Sequence, residues 1–157
     1  MAPARPNVSV DVVLDSRAGL ALPSLFHATV SLRGAVAQQI NDGLQQADDK
    51  QKRDAISKFM NSFVGGNILS DYAFSFDAED SNIRFTVSGI TGTDWSFDDR
   101  AYTMTLDQTV TNLNFDPDRA RAAWQAIPVS TGDAGHVNLR RQVLLPGDGT
   151  LYRLEGD

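Results

Sequence analysis

Residues 54–66 read DAISKFMNSFVGG, and the spacing within them decides the fold. Ile56, Phe59, Met60, Phe63 and Val64 recur at i, i+3, i+4, i+7 and i+8. That is one apolar stripe along a helix, with Lys52, Arg53, Lys58 and Asn61 falling elsewhere. Taking these side chains out of water is worth roughly 8–15 kcal/mol gross, much of it offset by ordering the chain. An isolated helix of this length is marginal, so the stripe must lie on something apolar. Gly65-Gly66 ends the helix, where a left-handed residue is needed.

The partner is legible just downstream. Tyr72, Phe74 and Phe76 alternate with Ala73, Ser75 and Asp77; Ile83, Phe85 and Val87 alternate with Arg84, Thr86 and Ser88. Each run has one apolar and one wet face, and the polar segment Ala78 to Asn82 has hairpin length. The spacing therefore lays the Ile56–Val64 stripe on the Phe74/Phe76/Phe85 side of a sheet.

Working outward, Val8, Val10 and Val12 alternate with Ser9, Asp11 and Val13 as a strand, Ser16 to Gly19 supplies a turn, and Pro23 precedes a second extended run, Leu25 to Leu32. After Gly34 the period becomes helical, with Val36, Ala37, Ile40, Leu44 and Ala47 as the stripe. Gly43 within it costs about 1 kcal/mol relative to alanine. Asp48 is a good N-cap for the next helix, and Gln51 completes a capping box.

Beyond the hairpin, Thr91 to Arg100 is turn-rich. An alternating run follows with Tyr102, Met104 and Leu106. Pro117 to Gln125 reads as a short helix with proline in its first turn, closed by Pro128. Ser130 to Gly135 is a loop, Val137 to Leu145 a strand, Pro146 to Gly149 a turn and Leu151 to Leu154 a returning strand. The expected fold is α+β: a mostly antiparallel sheet, a helical pair on one face and a short C-terminal helix.

The 157 residues suit a single domain with a genuine core, with a sub-module boundary expected near residues 108–116. Fourteen Lys and Arg against 20 Asp and Glu give a net charge of −6, which argues against nucleic acid or an anionic membrane as partner. The most basic run, Lys50-Gln51-Lys52-Arg53, reads as a solvated helix face. With no cysteine there is no disulfide, thiolate metal site or cysteine nucleophile. No apolar run approaches the roughly 20 residues of a membrane span, so direct membrane insertion is not expected.

Residues for chemistry are sparse. His27 falls inside a strand pattern and His136 at a loop-to-strand junction, too few imidazoles for a metal site. No serine lies in a G-x-S-x-G elbow. Asp77, Glu79 and Asp80 could hold calcium, but their spacing matches no EF-hand loop, and a solvated loop tip explains them. Asp94-Trp95 with Asp98-Asp99 could suit a sugar through ring stacking and paired carboxylates. Sequence neighbours, however, do not fix the carboxylate separation of about 5–10 Å that glycoside hydrolysis needs. A tryptophan anchoring a turn is the plainer reading. Trp124, beside Arg119 and Arg121, could anchor an interface, where tryptophan and arginine are enriched; more often such a tryptophan plugs its helix onto its own domain. No catalytic, cofactor-binding or metal-binding residue is assigned, and no cofactor is expected. The residues carried forward for an interface or ligand are Trp95, Arg119, Arg121 and Trp124.

The order Leu14-Asp15-Ser16-Arg17-Ala18-Gly19, Leu22-Pro23, a strand ending in Leu32-Arg33-Gly34 and then a helical pair resembles a known region. It is the region downstream of the transglutaminase-like core in large bacterial envelope proteins that carry an N-terminal domain of unknown function. Asp116-Pro117-Asp118-Arg119-Ala120-Arg121, Trp124, Ile127-Pro128-Val129 and Val143-Leu144-Leu145-Pro146 resemble the C-terminal strand module of that family. The family's catalytic unit uses a Cys-His-Asp triad, and this chain has no cysteine, so no active-site residue carries over. The resemblance implies a non-catalytic accessory domain, a fragment of a larger periplasmic or envelope protein, whose partners are the other domains of its parent. The alternatives are a glycan- or calcium-binding module of the envelope and, more weakly, an uncharacterised hydrolase.

Overall fold

A computed structural model describes residues 6–105, 137–147 and 152–153. The chain runs β1 (Val8–Asp15), β2 (Ser24–Arg33), α1 (Ala35–Gln46), α2 (Asp49–Val64), β3 (Asn67–Asp77), β4 (Asn82–Thr91), β5 (Ser96–Asp98), β6 (Ala101–Thr103) and β7 (Val137–Leu144). Five strands form one sheet in the order β3-β4-β2-β1-β7, and β5 pairs with β6 apart from it. The architecture is the expected α+β arrangement. The β1–β2, β2–β4 and β3–β4 pairings are antiparallel, but β7 joins β1 in parallel. The sheet is thus mixed at one edge. The expected helix Pro117–Gln125 and the boundary near 108–116 lie outside the described residues.

The core follows from strand alternation. Val10, Val12 and Leu14 of β1, Phe26, Ala28, Val30 and Leu32 of β2, and Ile83, Phe85 and Val87 of β4 are buried on one face. Ala37 and Leu44 of α1 and Ile56, Met60 and Val64 of α2 complete the same cluster. Phe59 meets Phe63 edge-on at 5.4 Å between ring centres and lies 6.1 Å from Phe85, which in turn lies 6.0 Å from Phe74. The stripe on residues 56–64 therefore packs where its periodicity required. In α1 one expectation fails: Val36 is exposed, and Ala37 and Leu44 carry that helix's buried contacts.

Local chemistry sets the boundaries. The Asp48 side chain accepts from the Gln51 N–H at 2.8 Å, while the Gln51 side chain accepts from the Asp48 N–H at 3.0 Å, the reciprocal capping box. Gly65 closes α2 at φ 71°, a left-handed value that suits glycine. In β3 the register shifts between Leu69 and Asp71, a bulge clamped from above by Arg53, which donates to the Leu69 carbonyl at 2.8 Å and sits over the Tyr72 ring.

Two elements differ from expectation. The stretch read as turns, Thr91 to Arg100, contains the β5–β6 hairpin, closed by Asp99 and Arg100 at φ 46° and 66°. Both central residues at positive φ make the primed turn that matches strand twist, reached here without glycine. Tyr152 and Arg153, the described part of the expected returning strand, are in no strand. The Tyr152 hydroxyl donates to the Pro146 carbonyl at 3.1 Å and its ring lies 6.5 Å from Trp95, so side-chain anchoring takes the place of a ladder. Among the described residues no helix is long and apolar enough to cross a membrane.

Candidate functional site

His27 projects from the sheet face opposite the helices. Its Nδ1 lies 2.9 Å from the Oγ of Ser88, its direct partner across β2 and β4. The two residues are 61 apart in sequence, so no local motif announces the pair. A nucleophile–base pair also needs an orienting acid and an enclosed site. His27 is exposed, its other cross-strand neighbour is Val13, and among the described residues no carboxylate bonds to it. His136 lies outside the described residues.

The acidic hairpin tip is structural. Asp77 accepts from the Glu79 N–H at 3.0 Å and the Asp80 N–H at 3.4 Å, an Asx-type turn, and Arg33 reaches Asp80 at 3.5 Å. Among the described residues no group of three or more His, Cys, Asp or Glu is placed to hold a metal ion.

Trp95 is half-buried. Its backbone N–H donates to the Thr93 hydroxyl, which itself donates to the Leu20 carbonyl at 2.7 Å. The indole ring lies 6.5 Å from the Tyr152 ring, and its Nε1 is buried without a partner among the described residues. Asp98 accepts from the Asp99 N–H at the β5–β6 turn. Arg119, Arg121 and Trp124 lie outside the described residues.

Asp94 sits in a different setting from its neighbour. With Asn61, Phe63, Thr103, Thr105 and Arg141 it lines a cleft of about 400 Å³ at the C-terminal end of α2. Helix ends leave carbonyls unpaired and carry negative partial charge, yet α2 has no basic residue in its last turn. Two of its last carbonyls, and two just past its end, find side-chain partners. Arg141 of β7 donates to the Phe63 carbonyl, the Thr91 hydroxyl to those of Val64 and Gly66, and the Asn67 amide to that of Gly65. Sequence reading missed Arg141. Its one visible signal is phase, since Leu139, Arg141 and Val143 share the inward side of β7, opposite Val10, Val12 and Leu14.

The open sheet face carries a second feature. Ile68, Ile90 and Leu25 stand opposite one another on β3, β4 and β2, in one row across the strands. They are 75%, 45% and 58% exposed, and exposed Leu22 lies in the β1–β2 connection at the same end of the sheet. Beside this row, at the end of β1, Asp15 is held by Arg17 through two side-chain hydrogen bonds of 2.9 and 2.7 Å. Those bonds, with the Arg17 backbone N–H, lower the Asp15 pKa to about 2.

Comparison with protein-family models, with curated proteins and with solved structures gives no match to this chain.

Proposed function

We propose that this chain is a non-catalytic accessory domain that packs against a neighbouring domain of a transglutaminase-like envelope protein. The observation that carries the reading is the aliphatic row Ile68–Ile90–Leu25 on the open face of the sheet. An antiparallel sheet with one solvated face normally places polar residues there, as Ser9, Thr29, Ser31, Thr86 and Ser88 do here. Three large aliphatic side chains aligned across adjacent strands gain nothing from water. Burial against a second surface stabilises them at roughly 25 cal/mol per Å², and clustered exposed apolar side chains are the usual mark of a contact surface. The resemblance in Leu14–Gly19 and Val143–Pro146 supplies the identity of the neighbour.

Two measurements test this reading. The gene on either side of the segment is expected to encode a Cys-His-Asp core, and its absence there removes the transglutaminase assignment. The purified protein is expected to turn over none of a panel of peptidase, esterase and glycosidase substrates. Turnover abolished by His27→Ala or His136→Ala overturns the non-catalytic assignment.

A further inference from the structure

We propose that the cleft at the C-terminal end of α2 binds a neutral, polyhydroxylated ligand, a sugar or a related polyol. Its lining shares no residue with the aliphatic row, so substitutions test the two readings separately. Its volume of about 400 Å³ falls within the range of small-molecule sites, about 300–1,000 Å³.

Charge selects the class of ligand. Arg141 contributes a positive group to the wall, and Asp94 a negative one. The C-terminal end of α2 adds negative partial charge, equivalent to about half an elementary charge. An anion would meet Asp94 and the helix end, and a cation would meet Arg141. A neutral molecule avoids both penalties and still receives charge-assisted hydrogen bonds from each side.

Hydrogen-bonding capacity narrows it further. A sugar hydroxyl donates and accepts at one atom, so it needs a wall offering both. The Asp94 carboxylate only accepts, the Arg141 guanidinium only donates, and the Thr105 hydroxyl and Asn61 amide do both. Much of this capacity is unspent: among the described residues neither the Asp94 carboxylate nor the Thr105 hydroxyl has a partner, and the Asn61 side chain uses only its oxygen, accepting from Asn67 at 2.8 Å. Phe63 adds an apolar residue to the lining.

The frame is fixed before a ligand arrives. Arg141 is tied to the Phe63 carbonyl, and Ser96 bonds Thr103 across β5 and β6 at 2.9 Å. Side chains already ordered reduce the entropy lost on binding. Among the described residues Asp94 is the one carboxylate on this wall, whereas glycoside hydrolysis needs a pair. The chemistry assigned to the cleft is recognition without cleavage.

The test is a titration of the full chain with glucose and with N-acetylglucosamine, followed by amide 1H–15N spectra. Glucuronate and glucosamine serve as the charged counterparts. Saturable shifts are expected at residues 61–65, Ser96, Thr103 and Arg141 for the neutral sugars, at lower concentrations than for either charged analogue. Asp94→Asn, at an exposed position, is expected to weaken the neutral sugars about tenfold, the cost of one charge-assisted hydrogen bond made ordinary, with the remaining spectrum unchanged. Three results overturn the proposal: no saturable shift at these amides with either neutral sugar, tighter binding of a charged analogue, or an Asp94→Asn affinity equal to that of the parent.

Discussion

The two faces of the five-stranded sheet are made from alternate residues of the same strands, yet they obey different rules. On the helix-covered side Val30, Ile83, Phe85 and Val87 are at most 2% exposed. On the other side Arg84 and Thr86 are exposed, Thr29 is half-buried, and Ser88 meets His27. A one-residue step along a strand therefore separates a position whose cost is set by packing from one whose cost is set by solvation. The sharpest test sets neighbours against each other. Phe85→Ala removes a ring that touches both Phe59 and Phe74 and is expected to cost about 3–5 kcal/mol in urea unfolding. Thr86→Ala, one residue on, should stay within about 0.5 kcal/mol. Equal losses at the two positions would break the two-face description.

At Gly89, on the covered face, neighbouring backbone and a ring come close. A Cβ there would lie 2.3 Å from the Ile68 carbonyl oxygen and 2.8 Å from the Phe26 ring. The first obstacle is backbone, beside the β3 bulge, and cannot rotate away. Gly89→Ala is expected to cost about 1–3 kcal/mol through overpacking, read as a lower urea midpoint with an unchanged slope. Smaller again is Asp48→Ala. It removes one half of the capping box at the start of α2 and should cost about 1 kcal/mol, with Asp48→Ser recovering most of it.

The same contrast explains how much was legible in the sequence. The helix over residues 56–64 and the hairpin of Phe74 and Phe85 were visible because buried faces impose a period, and period survives in the order of residues. The capping box and Gly65 were visible because they act within four residues. What escaped reading lies across long separations. His27 meets Ser88, Arg141 caps a helix that ends 77 residues earlier at Val64, and β7 pairs in parallel with the first strand. No local pattern encodes such partners. The β5–β6 hairpin escaped for another reason: Asp99-Arg100 lacks the glycine that usually announces its turn type. Trp95 and its neighbour Asp94 have different surroundings: the Trp95 backbone N–H bonds the Thr93 hydroxyl, while Asp94 lines the cleft. A one-residue alternation separated them, and sequence could not supply its phase.

The open face can be probed more gently. Leu25→Ser replaces a side chain that is 58% exposed and should leave unfolding free energy within about 0.5 kcal/mol. A larger loss would mean that the aliphatic row already serves this domain's own stability and needs no neighbour.

The smallest effect belongs to Asp15, on the same face. Its carboxyl titrates at about 2 instead of 3.8, first because Arg17 donates side-chain hydrogen bonds to the ionised form and then because the Arg17 backbone N–H does so too. A pKa lowered in the folded state stabilises the fold where the carboxylate is ionised. That contribution is complete above the unfolded value of about 3.9 and disappears as pH falls through about 2. Both partners sit at the surface, so solvent screening keeps the effect on stability small, and the titration itself is the better readout. Arg17→Gln should raise the Asp15 carboxyl pKa, followed by its side-chain 13C shift. The recovery should be incomplete, because the backbone N–H remains to favour the anion. A carboxyl that still titrates at about 2 in that variant would assign the whole shift to the turn at Ser16 and Arg17, and the guanidinium would then be an onlooker on this face.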